Sequence, residues 1–490
     1  MSKVKIKVIS RNPDDYLRAT KRDIHKMPRN YNPSLHPMEA PREYVRALNA
    51  VKLERVFAKP FIGSLDGHCD GVSSMAKHPN RLAVLASGAF DGEIRLWDLA
   101  VRKCTRNFVA HEGWVRAICY TPNGDTFTSV GDDKTIKSWK SQVLNEEDEE
   151  PVSTLLSMSV VSGVTHHRFK PIFATCGEHC QLWENTRNEP IKVFKWGVDS
   201  LHHVAFNQVE HNLLASCASD NSIILYDYRE SGPLRKVVLS HRSNAVSWNP
   251  MEAFIFTAAN EDYNLYTFDV RKLKEPINIH MDHTSAVIDV DYSPTGRELV
   301  SGSYDKTVRI FESLKGHSRD VYHTKRMQRL TCVKWSLDNK YILTGSDEMN
   351  IRMWKARASE KLGVRSHSVL HVYITPGAKR AIQNVCNVSN SCPVRATYTA
   401  RPGHGPVLKP RERTALNYAE ALKEKFAGHP QVKRIARHRH VPKHIMNAQK
   451  EIRTIREKIK RKEANKRAHS KPGAVPYVRE REKNVVKEDE

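Results

Sequence analysis

Residues with the chemistry for metal binding are present in this sequence, but their spacing matches no known catalytic or metal-binding motif. Cys176 and Cys180 are separated by three residues and have no second pair, as a structural zinc site would need. A group of histidines offers further potential ligands: His429, His438, His440 and His444. The arginines around them would repel a cation. P-loop, HExxH, GxSxG, zinc-deaminase and kinase signatures are missing, so we expect no catalytic residue, metal or cofactor.

The positive charge of the chain is concentrated at its two ends. The 490 residues carry a net charge of +24. Residues 1–53 carry +7, residues 54–364 carry −1, residues 365–400 carry +4 and residues 401–490 carry +14. This asymmetry is typical of a polyanion-binding protein, and it favours nucleic acid over basic tails kept for solubility.

The composition also excludes two classes of protein. No run approaches the roughly 18–20 apolar residues of a membrane helix, which argues against an integral membrane protein. The N-terminus has no apolar segment of the signal-peptide type. Nine scattered cysteines, an odd number, indicate reduced thiols rather than a disulfide scaffold.

One sequence element recurs through the neutral middle region: a small or polar residue, a turn with Asp, and an alternating run that ends on an aromatic residue. The aromatic positions, spaced 42 to 44 residues apart, are Trp97, Trp139, Trp183, Tyr226, Phe268, Phe311 and Trp354. Each unit contains several short alternating runs between turns, as strands require. A period in the low forties with four strands predicts a β-propeller blade, and seven units predict one closed ring.

The repeats resemble the WD-repeat family. In that family, His, Ser, Asp and Trp side chains form a buried hydrogen-bonded network that holds the turns of a blade. The positions that match this network are His68, Ser87, Asp91 and Trp97 in blade one, His111, Ser129, Asp133 and Trp139 in blade two, and His283, Ser301 and Asp305 in blade six. A buried polar network stabilises a fold when every member has a partner, so we expect these residues to be structural.

The remaining blades depart from the pattern, and the ring needs a closing strand. Blade five has Ala258 at the Ser position, blade four has no matching His, and blade three lacks the turn Asp. No outer strand follows Trp354 within its repeat. We therefore expect residues 55–61 to supply the outer strand of blade seven and to close the ring.

Two consecutive blades end on an aromatic-Asp-x-Arg box. The boxes contain Asp227 and Arg229 in blade four, and Asp269 and Arg271 in blade five. They resemble the pattern by which substrate receptors of a cullin-RING ubiquitin ligase dock to its propeller adaptor. The alternative is that they are composition alone, because Asp after the aromatic residue is common in WD repeats.

The C-terminal region predicts helices with a strongly basic surface. Ile445, Ile452, Ile455 and Ile459 are 7, 3 and 4 residues apart, which indicates one narrow apolar stripe on a charged helix. Basic residues selected as candidate RNA contacts are Lys433, Arg434, Arg437, Arg439, Lys458, Lys460, Arg461 and Lys462. Aromatic residues are sparse here, so contact with phosphates is favoured over base stacking. The simpler interpretation is a solvated helix that docks on a partner through its isoleucines.

The two ends resemble WD repeat and SOF domain-containing proteins. The resemblance rests on Arg11-Asn12-Pro13, Tyr31-Asn32-Pro33 and Glu39–Tyr44, on Lys433–His440 with Pro442-Lys443, and on His469–Gly473. It implies a nucleolar, non-enzymatic factor of the small-subunit processome that acts in precursor rRNA processing near a box C/D small nucleolar ribonucleoprotein. The implied partners are pre-rRNA, other processome proteins and, in the alternative role as a ligase substrate receptor, the ligase adaptor; no membrane is involved.

These observations predict an all-β protein with four segments. Residues 1–53 form a basic N-terminal arm, and residues 54–364 form a seven-bladed WD-repeat propeller. Residues 365–410 are a linker or insert that we expect to be disordered, because they fit neither neighbour. Residues 411–490 form a basic, partly helical SOF-like domain.

Overall fold

The computed structural model describes residue 35 and residues 37–142, 150–197, 200–360, 410–471 and 473–489; for residues 410–417 it describes the backbone alone. These residues belong to two compact units. The first comes from Met1–Phe57 and Val407–His438, and the second from Ala58–Pro406 and Arg439–Glu490. The motifs at residues 11–13 and 31–33, the segment 365–409 and Pro472 lie outside the described residues. None of the described helices is both long and apolar enough to cross a membrane.

The first unit is a small helical bundle built from both ends of the chain. It contains α1 (Glu39–Val56), α2 (Pro410–Lys425) and α3 (Pro430–Arg437). The Tyr44 hydroxyl donates a hydrogen bond to Gln431 Oε1 over 2.6 Å, and Lys423 Nζ lies 2.9 Å from a Glu54 carboxylate oxygen. Ala47 is fully buried and Leu422 is 4% exposed. The predicted N-terminal arm and the start of the predicted C-terminal domain therefore share one apolar core.

The second unit confirms the predicted seven-bladed propeller. Its first strand is β1 (Phe61–Asp66). Blades one to three contain β2 (Val72–Lys77), β3 (Val84–Ala89), β4 (Glu93–Asp98) and β5 (Lys103–Val109); β6 (Val115–Tyr120), β7 (Thr126–Gly131), β8 (Thr135–Lys140) and β9 (Ser153–Leu156); and β10 (Gly163–His166), β11 (Ile172–Cys176), β12 (Cys180–Glu184) and β13 (Lys192–Phe194).

Blades four to seven follow the same antiparallel order. They contain β14 (Leu201–Phe206), β15 (Leu213–Ala218), β16 (Ser222–Asp227) and β17 (Pro233–Leu239); β18 (Ser243–Trp248), β19 (Ile255–Asn260), β20 (Asn264–Asp269) and β21 (Asn278–Met281); β22 (Val287–Tyr292), β23 (Glu298–Ser303), β24 (Val308–Glu312) and β25 (Ser318–Tyr322); and β26 (Leu330–Trp335), β27 (Tyr341–Ser346) and β28 (Asn350–Lys355), with β1 on the outer edge.

The ring closes as predicted, but the closing strand is displaced along the sequence. Residues 55–61 were expected to form it; instead Arg55 and Val56 end α1, and the strand β1 begins at Phe61. Phe61 pairs with Trp354, and Leu65 pairs with Ile351. Leu65 is 1% exposed, so the later register places an apolar side chain in the core. The preceding Pro60 has no N–H to donate to the ladder, which is consistent with a strand that begins after it.

The remaining C-terminal residues belong to the propeller unit. They form α4 (Lys443–Ala468), a short 3₁₀ turn (Glu482–Asn484) and β29 (Val485–Asp489). The strand β29 pairs antiparallel with β17 and gives blade four a fifth strand. Val485 packs against the apolar core between blades four and five. The sequence pattern does not predict this strand.

Candidate interaction surfaces

The blade networks predicted for blades two and six are present in full. In blade two, His111 Nε2 lies 2.8 Å from Ser129 Oγ, and Trp139 Nε1 donates to the same oxygen over 3.0 Å. His111 Nδ1 lies 3.0 Å from the Asp133 carboxylate. In blade six, His283 contacts Ser301 at 2.7 Å and Asp305 at 2.9 Å. Burial lowers the pKa of both histidines, although the neighbouring carboxylates act in the opposite direction.

Blade one has an incomplete network, which differs from the prediction. His68 Nε2 lies 2.6 Å from Ser87 Oγ, and Trp97 Nε1 donates to Ser87 over 2.7 Å. Asp91 is exposed and accepts the Glu93 amide over 3.0 Å; its contacts do not include His68. Glu93 takes the place of the Thr found in the other two blades, and its carboxylate lies 3.8 Å from His68 Nδ1. Burial and Arg95 lower the pKa of His68 to about 4.

Shorter polar pairs replace the network in other blades. The Trp183 and Trp354 indoles donate to Thr175 and Thr344, each over 2.9 Å. In blade four, Ser216 and the Tyr226 hydroxyl lie 3.0 Å apart. The two threonines occupy the register of the missing serines, and this position in the repeat was the signal that could have identified them.

Helix α4 docks on the propeller along one side. Gln449 Nε2 donates to the Asp282 carbonyl oxygen over 2.6 Å, and Arg456 donates to Asn264 Oδ1 over 3.1 Å. Ile445 is 3% exposed. Farther along the helix, Ile455 and Ile459 are 55% and 51% exposed. The predicted isoleucine stripe is therefore buried at its start and open to solvent at its end.

The candidate RNA-binding residues lie in both compact units. Lys458, Lys460, Arg461 and Lys462 are all exposed on α4. Lys460 lies 3.6 Å from the exposed carboxylate of Glu480. In the other unit, α3 carries exposed Lys433, Arg434 and Arg437, which line a depression together with Pro430 and His438. Arg439 is half-buried at the start of the segment that leads into α4.

The two aromatic-Asp-x-Arg boxes share one geometry. The Arg229 guanidinium donates to both carboxylate oxygens of Asp227, at 3.1 and 2.7 Å. Arg271 does the same with Asp269, at 3.0 and 2.8 Å. The arginine side chains are 62% and 68% exposed, whereas the Asp side chains are 9% and 19% exposed. Each carboxylate thus holds a guanidinium that faces solvent.

The environment of the carboxylates keeps both boxes charged. Burial favours the neutral form of Asp227, but the hydrogen bonds from Arg229 prevail and the pKa of Asp227 is lowered. Hydrogen bonds from Arg271 lower the pKa of Asp269. The boxes begin with the last two residues of β16 and β20, the third strands of adjacent blades, so they lie at the same end of their sheets. Lys192 Nζ also donates to the carbonyl oxygens of Tyr228 and Arg229, at 2.8 and 2.9 Å.

Comparison with known families agrees with this architecture. The Sof1-like domain matches residues 404–485, and the WD domain, G-beta repeat, matches residues 59–98, 102–140, 274–312 and 312–355. The matched repeats leave out residues 141–273, where blades three to five depart from the family pattern. The protein named DDB1- and CUL4-associated factor 13 from Danio rerio is 54% identical over 485 residues, covering 99% of each chain.

The chain belongs to the family of WD-repeat proteins with a Sof1-like domain. Its human relative, also named DDB1- and CUL4-associated factor 13, is 53% identical over 484 residues and 99% of each chain. Protein SOF1 from Saccharomyces cerevisiae is 42% identical over 508 residues, covering 99% of this chain and 94% of the relative. In this chain, the residues that match the Sof1-like domain lie in both compact units, from α2 to the start of β29.

Proposed function

We propose that this protein is a non-enzymatic scaffold in ribosome biogenesis, acting in the small-subunit processome and in precursor rRNA processing. The observation that carries the proposal is the exposed basic surface of α4, in a chain similar to protein SOF1 over nearly its whole length. The propeller offers surfaces to protein neighbours, and the basic residues engage pre-rRNA or a box C/D small nucleolar ribonucleoprotein. The nucleolus is the expected location.

The contacts to RNA are electrostatic in this proposal. Lys458, Arg461 and Lys462 extend from α4 into solvent, and Lys433, Arg434 and Arg437 extend from α3. Neutralising phosphates with lysine and arginine releases counterions, so binding weakens steeply as salt increases. The basic surfaces have few aromatic neighbours, and contact with the RNA backbone therefore fits them better than base recognition.

Charge reversal tests this function. We expect Lys458→Glu, Lys460→Glu, Arg461→Glu and Lys462→Glu together to release the protein from pre-ribosomal particles and to reduce its nucleolar signal. A matched control reverses four exposed basic residues of the propeller unit: Lys59, Lys103, Lys325 and Arg326. The measurements are co-sedimentation with pre-ribosomes and fluorescence imaging. Equal co-sedimentation of wild type and the α4 variant would contradict the proposal.

The two boxes favour a second function, as a substrate receptor of a cullin-RING ubiquitin ligase. Several relatives carry the name DDB1- and CUL4-associated factor 13. An exposed arginine held by a carboxylate is arranged to accept a second, partner carboxylate through parallel hydrogen bonds. We propose that Arg229 and Arg271, positioned by Asp227 and Asp269, contact DDB1 as the ligase adaptor. The scaffold and receptor functions use different surfaces and are compatible.

Removal of both guanidinium groups tests the second function. Truncating one arginine at a desolvated contact costs about 2 kcal/mol, roughly thirtyfold in affinity. We therefore expect Arg229→Ala with Arg271→Ala to abolish DDB1 capture in a pull-down and to leave pre-ribosome association intact. Lys315→Ala is the control, because Lys315 pairs with Glu312 in the corresponding loop of blade six and is 66% exposed. If the double variant still captures DDB1, the boxes only stabilise the blade turns and do not bind the adaptor.

A further inference from the structure

A band of exposed apolar side chains lies next to the two boxes, at the same end of the blades. It is formed by the loops that join the first and second strands of blades three, four and five. We define the apolar band as Phe169, Val209, Met251 and Phe254, which are 69%, 40%, 66% and 41% exposed. Exposed apolar side chains that cluster, rather than occurring singly, mark interaction sites.

Direct contacts join the three loops that carry the apolar band. Arg168 donates to the Gln208 carbonyl oxygen over 2.9 Å, which joins the loops of blades three and four. Asn207 Nδ2 donates to the Ala253 carbonyl oxygen over 2.6 Å, which joins blades four and five. The Phe169 ring meets the His211 ring edge-on, with centroids 4.5 Å apart.

The apolar band contacts the blade-five box directly, and a neighbour of Phe169 contacts the blade-four box. The Arg271 guanidinium lies over the Phe254 ring, 4.8 Å from its centroid. Lys170, next to Phe169, donates to the Tyr228 hydroxyl over 2.5 Å, and Tyr228 is the central residue of the blade-four box. The band and the boxes therefore form one surface.

The corresponding loops elsewhere in the ring do not form such a band. In the described loops of blades two and six, residues 121–125 and 293–297, no large apolar side chain is exposed. The loops of blades one and seven each expose a single one, Leu82 at 59% and Leu337 at 41%. Among the loops between the first and second strands, exposure in three consecutive blades thus occurs only at and beside the boxes; at the same end of the ring, the loops after the third strands expose Val101 of blade one at 59% and Leu314 of blade six at 85%.

We propose that the apolar band is the centre of the surface that docks the ligase adaptor, with the box arginines at its edge. This inference rests on the proposed receptor function. The arginines face outward over their carboxylates, so the surface fits a protein partner that presents apolar side chains flanked by carboxylates. Glu252 is exposed in the loop that carries Met251, and Glu230 is exposed in the loop that follows the blade-four box. Because the surface thus combines acidic and basic groups with apolar side chains, it fits a protein partner better than a phosphate backbone.

The test compares full-length variants for binding to purified DDB1. Phe169→Ser with Met251→Ser removes the two most exposed members of the apolar band without touching a box residue. Leu82→Ser is the matched control, because Leu82 has similar exposure in the same loop of blade one. We expect the double variant to bind DDB1 at least about tenfold more weakly, with unchanged thermal unfolding, and the control to bind as wild type does.

The outcomes separate this inference from the receptor function. If Arg229→Ala with Arg271→Ala loses DDB1 while Phe169→Ser with Met251→Ser binds normally, the boxes act alone and the inference is wrong. If wild type does not bind DDB1, the receptor function itself fails. If the apolar-band variant keeps DDB1 but loses labelled single-stranded RNA, the surface binds nucleic acid and the inference is overturned.

Discussion

At the scale of residues, similar His-Ser-Asp-Trp patterns produce two different hydrogen-bond networks. The Asp133 carboxylate contacts His111 and also accepts the Thr135 amide. The Asp91 carboxylate accepts the equivalent Glu93 amide but makes no hydrogen bond to His68. The sequence motif is the same in blades one and two. The two networks differ at the residue two positions after Asp. In blade two, Thr135 Oγ1 lies 3.2 Å from His111 Nδ1 and donates to Asp133 over 2.7 Å, whereas in blade one the Glu93 carboxylate lies 3.8 Å from His68 Nδ1.

This difference predicts unequal costs for equivalent substitutions. Asp133→Ala leaves buried His111 Nδ1 without its carboxylate partner and should lower the free energy of unfolding by about 1–3 kcal/mol. Asp91→Ala removes a turn contact at an exposed residue and should cost less than about 1 kcal/mol. Urea denaturation of the two variants measures both values. Equal losses would show that the histidine contact contributes little.

At the scale of elements, the periodic strands could be predicted from the sequence and the accessory segments could not. One aromatic residue per blade recurs every 42 to 44 residues along the sequence, and this spacing predicts all seven blades. The strand β29 is a five-residue segment, Val485–Asp489, with two apolar residues followed by charges, so it has little strand signal of its own. Its stability comes from pairing with β17, nearly 250 residues earlier in the sequence.

The pairing of β29 predicts opposite responses from two adjacent valines. Val485 packs against the core between blades four and five, whereas Val486 is 68% exposed. Val485→Asp should release β29 and open the β17 edge, because it places a carboxylate against the apolar core that the partly buried Val485 contacts. Val486→Asp should leave the strand in place. Hydrogen exchange of the Ser240 amide, which donates to the Asn484 carbonyl oxygen over 2.9 Å, and of the Val238 amide at the next alternate position measures the difference. Equal protection of these amides in both variants would contradict the packing.

The candidate sites also differ in whether the sequence alone can identify them. The box arginines and the basic residues of α4 could be selected from the sequence, because composition and spacing reveal them directly. The apolar band could not, because Phe169 and Phe254 are 85 residues apart and lie in loops of blades three and five, which only the folded ring brings to the same end. Exposure depends on the fold: Phe169 is 69% exposed and Phe173 is 1% exposed, although the sequence alone does not distinguish them.

At the scale of the whole molecule, the propeller is a closed ring whose ends must meet. The strand β1 comes from the N-terminal side of the repeats and completes blade seven beside β28. Charged side chains add a link between the two neighbours of blade seven: Lys77 of blade one lies 2.7 Å from Asp291 of blade six. Asp291 also accepts the Trp335 amide of blade seven over 2.7 Å. The closing region is thus tied by a strand and by side chains.

A closed ring predicts that a fault in β1 acts on the whole propeller, whereas a fault in β29 stays local. Leu65 is 1% exposed and belongs to the core shared by blades one and seven. Leu65→Asp should therefore lower the free energy of unfolding by several kcal/mol and reduce the melting temperature of the whole ring. Ser64→Asp, on the opposite face of β1, is the control. Tryptophan fluorescence during thermal unfolding follows the buried residues Trp97, Trp335 and Trp354 around the closure. If the Leu65→Asp variant unfolds at the wild-type temperature, the ring does not depend on β1, and blade seven is stable with its other three strands alone.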